Sequence, residues 1–527
     1  MFHRVPHKSD VVTIELCAPH GMMHRTCRCA ATLGLPLLLM TVSGFTPDAA
    51  QAQLPPLAPG EIQHVIVVMM ENRSFDHALG WVPGADGQQA GLTYYDSAGT
   101  PHNSHPLAPD FQGCGHVDPN HSYCGGRYEW NLGACNGWLY DCALHGCAAD
   151  CRTNDTYAIG YYEAADLPFY TGAAGSWTVC DRYFPPIMAG TWPNKMYQYA
   201  ADTDRLVTGD FTPFPSTLPT IFDVMATHGV TARYYFSDVP LVGLWGATYL
   251  PITRHVSQFF ADCTLGALPD VAFIDPRFLS EGNGTSCDDH PFADMRCGQS
   301  FLNSIYECVI AGPNWVNTVL VINFDEWGGF FDHVDPDNVP GGRPPPAPVQ
   351  ATLDTVEAGL RGFRTPCFVI SPWAPRGAVA HGVYDHTSVM RMIEWNWNLP
   401  PLTIRDLAAN NLANVLTHPW DPTAPHFTVP AVPVSNACPS PNADSRAWLD
   451  LYRRAQNLDF PVPVFFGDMD CNGIVDLEDA PAMVLALLDP MAYIGLYGCD
   501  LERGDFDGDQ LTDGGDLQAF ISALVIP

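Results

Sequence analysis

Four side chains, Glu71, Asn72, Asp325 and Glu326, have the chemistry of a divalent-cation site. All four offer oxygen, the ligand type that hard cations take. Each pair directly follows a continuous apolar, β-branched run, Ile62–Met70 (IQHVIVVMM) and Thr318–Phe324 (TVLVINF). Such runs form strands covered on both faces of a sheet. Two neighbouring strands would therefore deliver all four residues to one sheet edge, although the pattern alone also fits acids that cap strand ends and meet solvent.

A second candidate lies in Gly190-Thr191-Trp192-Pro193-Asn194, which opens a helical stretch over Lys195–Ala201. A Thr ahead of a first-turn Pro is a good helix N-cap. The same position aims a hydroxyl and free N–H groups at a bound anion, which suits a nucleophile that attacks phosphate. The two roles do not exclude each other. His121, His290, His333 and His386 sit on polar loops, the last three each after an Asp. Imidazoles around a phosphate offset its charge or protonate a leaving oxygen, worth on the order of 10²–10⁴ in rate. Adjacent residues on a strand point opposite ways, so Asp-His adjacency by itself makes no hydrogen-bonded dyad. Asp96-Ser97-Ala98 mimics an alkaline-phosphatase nucleophile tripeptide, but it lies in a hairpin-like stretch with no helix after it. Cys438-Pro439-Ser440 lacks the Cys-x-Pro-x-Arg pattern a sulfatase needs.

These residues need a scaffold. A third buried-strand run, Thr365–Ser371, and helical patterns over Ile221–His228 and Ser388–Trp397 alternate with the first two. This predicts a three-layer α/β/α sandwich, in which ligands bind beyond the carboxyl ends of the strands. With 527 residues, 47% of them hydrophobic, the chain can bury a large core. A formal net charge of −33 would repel a phosphate backbone, so nucleic acid is excluded as a partner.

The 18 cysteines and few lysines fit an oxidising compartment. Arg25 and Arg28 precede an apolar run over Ala30–Gly44, and Ala50-Gln51-Ala52 offers a small-residue cleavage site. Residues 1–52 are therefore expected to be a signal peptide, with the start of translation at Met22 or Met23, and the protein to be secreted or at the cell surface. No later run is long enough for a transmembrane segment. Loss of Cys17, Cys27 and Cys29 with the leader leaves an odd cysteine count, which predicts a free thiol. Cys114, Cys124, Cys135, Cys142, Cys147 and Cys151 crowd one insertion. They match no standard zinc spacing, so a disulfide-stapled loop is expected.

Residues 53–457 read as the main domain, ending in an amphipathic helix over Ala447–Asn457, with 458–466 as linker. In 467–527, two segments match a calcium loop with ligands at positions 1, 3, 5, 9 and 12. The first supplies Asp468, Asp470, Asn472, Asp476 and Asp479, the second Asp505, Asp507, Asp509, Asp513 and Asp516. Apolar helical patterns, Ala480–Leu488 and Leu517–Val525, follow them. Gln510 replaces the turn Gly of the second loop, and Cys471 with Cys499 would staple the module. These loops resemble a type I dockerin, which implies a small all-α module, Ca²⁺-dependent folding and attachment to a protein partner.

The main domain resembles the bacterial phosphoesterases that include phospholipases C and a group of acid phosphatases. The matching segments are ENRSFD at Glu71–Asp76, DPNH at Asp118–His121, CDRYFPPIMAGTWPN at Cys180–Asn194, DDHP at Asp288–Pro291, FDEWGGFFDHV at Phe324–Val334 and YDHTS at Tyr384–Ser388 leading to Arg405-Asp406. The resemblance implies an alkaline-phosphatase-like fold and a phosphorylated-enzyme mechanism on a phosphate ester or phospholipid. It makes Glu71, Asn72, Asp325 and Glu326 ligands of one divalent metal and Thr191 the nucleophile. His121, His290, His333 and His386 would surround the phosphate. Lys195 stands where an Arg is common in that family. The competing reading is a catalytically degenerate cell-surface scaffold attached through its dockerin-like module.

Overall fold

The computed structural model describes residues 55–140, 152–279, 281–432, 438, 446–462, 468–469, 479–497, 501–504, 512–518 and 520–521. The expected signal peptide lies outside them. Eight strands form the main sheet: β1 (His64–Met70), β2 (Thr178–Cys180), β3 (Ala232–Phe236), β4 (Thr253–His255), β5 (Val271–Ile274), β6 (Thr318–Phe324), β7 (Cys367–Ile370) and β8 (Ala378–Ala380). Their order across the sheet is β8-β2-β7-β6-β1-β5-β3-β4. The two runs singled out by their apolar continuity, β1 and β6, are the central pair, and every residue of β6 is buried. The third run forms β7, which runs antiparallel to β6 and β2, so the sheet is mixed.

Helices cover both faces. Asn323 and Phe324 are consecutive on β6 and point opposite ways. The Asn323 amide donates to Gln198 Oε1, 2.9 Å away on α4 (Thr191–Ala200). The Phe324 ring packs on Tyr170 of α3 (Pro168–Ser176), centroids 6.2 Å apart. α4 and α3 therefore lie on opposite sides, and each packs with a second helix, α4 with α6 (His386–Trp397) and α3 with α5 (Met295–Ala311). This is the layered α/β architecture expected from the pattern.

Two shorter helices, α1 (Phe75–Leu79) and α2 (Tyr123–Trp130), carry loops towards the carboxyl end of β1. The expected last helix of the main domain is α7 (Arg446–Asn457). Its Trp448 is buried and stacks on Phe278 at 4.2 Å. Beyond it, α8 (Asp479–Leu488) and α9 (Pro490–Tyr497) share a small core of Met469, Met483, Tyr493 and Phe520.

Cys124 of the insertion is disulfide-bonded. Cys114 bonds Cys438, 324 positions away, and Cys287 bonds Cys297. Cys135 is a buried free thiol. The insertion is thus tied to a distant segment, a pairing that spacing could not reveal. Cys142, Cys147, Cys151, Cys471 and Cys499 lie outside the described residues.

Candidate active site

The register of the central pair creates the site. Met70 of β1 pairs with Phe324 of β6, and the Asp325 N–H continues the ladder to the Met70 carbonyl at 3.0 Å. Glu71-Asn72 and Asp325-Glu326 therefore leave the sheet side by side. Asn72 turns sharply, with φ of 57°, and its N–H donates to Asp325 Oδ1 at 2.9 Å. Asn and Asp are the non-glycine residues best suited to that left-handed region. On the other chain, Gly328 also has positive φ, and its N–H donates to Glu326 Oε2 at 2.7 Å. A Cβ at Gly328 would lie 2.0 Å from the Asn72 carbonyl oxygen, so only glycine lets the two turns meet.

Helix α4 brings the hydroxyl. Gly190, not Thr191, occupies the N-cap, and Thr191 is the first helical residue. Its Oγ1 is therefore released from capping and donates to Glu71 Oε2 at 3.1 Å, with Asn72 Oδ1 at 3.5 Å. One turn further on, Lys195 Nζ reaches Glu71 Oε1 at 2.7 Å, both side chains fully buried. The α4 N-terminus thus holds Glu71 by both oxygens, one facing a neutral donor and the other a cation.

Thr191 opens into a cavity of 520 Å³ whose walls include His121, His290, Glu281, Arg152 and Trp448. The loop before α2 sets the His121 ring: Nδ1 donates to the Pro119 carbonyl at 2.8 Å, and Nε2 faces Asn72 Nδ2 at 3.4 Å. His290 meets His121 edge to face, centroids 6.0 Å apart, and its Nε2 lies 3.8 Å from Glu281 Oε2.

The other two histidines do not line this cavity. His386, the first residue of α6, is fully buried, with Nε2 2.8 Å from the Asp325 carbonyl oxygen and Nδ1 3.1 Å from Tyr183 Oη. Burial pushes its pKa down to about 4, so the ring is neutral and anchors the Asp325 backbone. His333 belongs to a separate network. Its Nδ1 pairs with Asp76 Oδ2 at 2.6 Å and its Nε2 with Asp86 Oδ1 at 3.2 Å, while Arg364 joins Asp76 to Asp332. Burial alone would lower the His333 pKa, but the hydrogen bond and charge of Asp76 outweigh it and hold the ring protonated more strongly than usual.

The carboxylates carry the electrostatic load. Burial, then the charge of Asp325, raises the Glu71 pKa well above its usual range, with Lys195 pulling it back. Burial likewise raises Glu326, reinforced by Asp325, and takes Asp288 up to about 7. Asp325 Oδ2 and Glu326 Oε1 are buried with no hydrogen-bond partner among the described residues. Bare buried carboxylate oxygens are costly, and a divalent cation would satisfy both at once. The donor set, carboxylates and one amide oxygen, fits such an ion.

Sequence reasoning did not single out Glu281 or Trp448. They are isolated residues in a loop and on a helix whose neighbours show no chemical pattern, and only folding brings them to the cavity. In the C-terminal segment, Asp468 is buried against Arg503 Nη1 at 2.6 Å, and Arg503 Nη2 also donates to Tyr452 Oη at 2.7 Å. Asp479 begins α8, and Asp516 Oδ2 accepts from the Asp513 N–H at 2.9 Å. Asp470, Asn472, Asp476, Asp505, Asp507 and Asp509 lie outside the described residues.

The model of the Phosphoesterase family matches residues 62–400. Non-specific phospholipase C1 of Arabidopsis thaliana is 28% identical over 402 residues, covering 70% of this chain and 73% of the plant protein. Phospholipase C B of Mycobacterium tuberculosis is 27% identical over 446 residues, covering 73% and 84%. Among solved structures, a protein in the alkaline phosphatase superfamily from Vibrio parahaemolyticus aligns with a TM-score of 0.30 and 9% identity, covering 66% of this chain and 71% of that one. The lipoteichoic acid synthase LtaP from Listeria monocytogenes aligns at 0.33 and 9%, covering 77% and 94%.

Proposed function

We propose that this chain, which belongs to the Phosphoesterase family and is a phosphoric ester hydrolase, acts through Thr191 as nucleophile on a phospholipid or another phosphate ester. The observation that carries the reading is the placement of the Thr191 hydroxyl. It lies in the cavity wall, at the positive end of α4, hydrogen-bonded to Glu71 and beside Asn72. Attack of Oγ1 on phosphorus forms the Thr–O–P bond and breaks the bond to the leaving alcohol; water then releases the phosphoryl group from Thr191. The Thr191 proton is already directed at Glu71 Oε2. Lys195 keeps a fixed positive charge behind Glu71, and the positive end of the α4 dipole favours the anionic phosphoryl group.

Glu71, Asn72, Asp325 and Glu326 would hold a divalent cation. When bound, that ion supplies Lewis-acid stabilisation of the attacking oxygen and of phosphoryl charge. His121 and His290 stand across the cavity and flank the phosphoryl group. His386 acts at one remove, as a positioning residue for Asp325. Export is read from residues 1–52, and calcium binding and attachment to a protein partner from 467–527. No helix among the described residues is long and apolar enough to cross a membrane.

The test is hydrolysis of a chromogenic phosphomonoester and of phosphatidylcholine by the pure full chain, with and without chelator, beside Thr191→Ala. Turnover should fall by at least about 10³-fold in the variant, the scale of losing a nucleophile, with an unchanged circular dichroism spectrum. Near-normal turnover in folded Thr191→Ala would remove Thr191 from this role. No turnover of either substrate by the metal-supplied parent would favour the scaffold.

A further inference from the structure

We propose that Arg361 and Arg405 build a binding site for a small oxyanion of the phosphate or sulfate type, in a cavity separate from the one that Thr191 lines. The cavity measures 180 Å³ and is walled by the loop 340–345, by Asp385 and Ser388 at the start of α6, and by Arg405 on the short helix Ile404–Leu407. No described residue lines both cavities. Sites for drug-sized ligands run to roughly 300–1,000 Å³, so this one has room for a small ion or a single headgroup and not for a whole organic ligand.

Charge is the first observation that points to an anion. Arg405 is 1% exposed and Arg361 8%. Both guanidiniums turn to a single carboxylate oxygen, Asp385 Oδ2, which lies 2.6 Å from Arg405 Nη2 and 3.5 Å from Arg361 Nε. Burial alone would raise the Asp385 pKa, but the charges of Arg405 and Arg361 outweigh it and hold it down to about 2, so this carboxylate is ionised. Two guanidiniums on one carboxylate leave one positive charge in excess. Arg343 adds none, because its Nη2 donates to Asp337 Oδ2 at 2.7 Å. A buried charge without a counter-ion is costly, and burial already drives the Arg361 pKa down to about 10.

The second observation is the geometry of the donors. Arg361 Nη1 donates to the Gly342 carbonyl at 3.1 Å, while its Nη2 has no partner among the described residues. Arg405 Nη1 donates to Thr387 Oγ1 at 3.3 Å, and its Nε is buried with no partner among the described residues. Each guanidinium is thus fixed on one side and keeps an N–H unused on the other. The planar fork of Arg matches the paired oxygens of an oxyanion, so an ion seated on Arg361 Nη2 would fill the vacant donor and cancel the excess charge together. Inorganic phosphate, which the proposed reaction releases from a phosphomonoester, has this chemistry, as does the phosphate of an anionic lipid headgroup. The site rests on the two arginines and not on that reaction.

The full chain with its metal ions is titrated with inorganic phosphate by calorimetry, beside Arg361→Gln. The expected result is one phosphate per chain whose affinity falls at least about 10-fold in the variant, the scale of one hydrogen bond to a charged group. Crystals of the parent chain soaked in selenate should show selenium anomalous scattering between Arg361 and Arg405. That measurement needs no variant, so a variant that fails to fold does not protect the idea. Equal phosphate affinity in the parent and a folded Arg361→Gln, or selenate confined to the Thr191 cavity, would each overturn the proposal. Flotation with phosphatidylcholine vesicles, with and without phosphatidic acid, separates the two sources of the ion. Retention by phosphatidic acid that Arg361→Gln abolishes assigns a lipid headgroup, and phosphate binding without retention assigns the free ion. A chain that binds phosphate here yet hydrolyses no ester would refute the phosphoryl-transfer reading and leave the site intact.

Discussion

Replacing Lys195 by Met tests the electrostatic design most directly. Lys195 Nζ lies 2.7 Å from Glu71 Oε1, neither side chain touches solvent, and the Phe278 ring covers the ammonium at 4.4 Å. Removing one partner of such a pair strands the other charge, at a cost of about 3–5 kcal/mol. Glu71 has one escape, which is to take up a proton. Its pKa is already raised, by burial first and the charge of Asp325 next, and Lys195 is what restrains it. Without Lys195 the pKa rises further. Each pH unit above it then adds about 1.4 kcal/mol to the cost of keeping the neutral form, until leaving the bare charge is cheaper. The loss should thus grow with pH. In chelator-treated protein, urea unfolding of Lys195→Met against the parent should show a loss of about 1 kcal/mol at pH 5 and about 3–5 kcal/mol at pH 8. Adding the divalent ion should shrink the pH 8 loss, because a cation then replaces the ammonium beside Glu71. A loss under about 1 kcal/mol at pH 8, or one equal at the two pH values, would refute the account of Glu71 as a buried charge held by Lys195.

The stripped parent protein should itself be acid-stabilised. Burial holds Asp275, Asp288 and Asp289 at about 7 in the folded state, against roughly 4 when unfolded. The folded state therefore binds more protons between those values, and the associated stability is full below about pH 4 and lost as pH rises through 7. Thermal unfolding from pH 4 to 8 in chelator should show a falling midpoint, less steep once metal is restored; a midpoint that rises across this range counts against the assignment. Gly328→Ala should displace the Asn72 turn, since the new methyl would meet the Asn72 carbonyl at 2.0 Å with φ at +65°. Turnover at least about 10-fold lower, with a stability loss of at least about 1 kcal/mol, is expected; a fully active variant would show that the two turns need not touch.

The two central strands were legible because a strand buried on both faces is mostly apolar and β-branched, and an acid directly after such a run marks where the strand leaves the sheet. Thr191 was legible for a related reason: Gly190 before it and Pro193 after it punctuate a helix start, although the helix is capped one residue earlier than the residue types suggest. The histidines show where that logic stops. His290 and His386 both follow an Asp in a loop. Yet the first faces the cavity, and the second, locked into the first turn of α6 by the Asp385 capping box, turns inward to the Asp325 carbonyl. A dipeptide does not encode which way a ring points; the packing of the element behind it does. The same holds for Glu281. No local period or spacing marks it, and it acquires a role only because strands and loops far apart in the chain converge on Glu71. Even the dominant contact of the site, Lys195 with Glu71, carries only half a signal in the chain: the helical turn that separates Lys195 from Thr191 places both on one face of α4, while the carboxylate they share comes from a strand more than a hundred residues earlier.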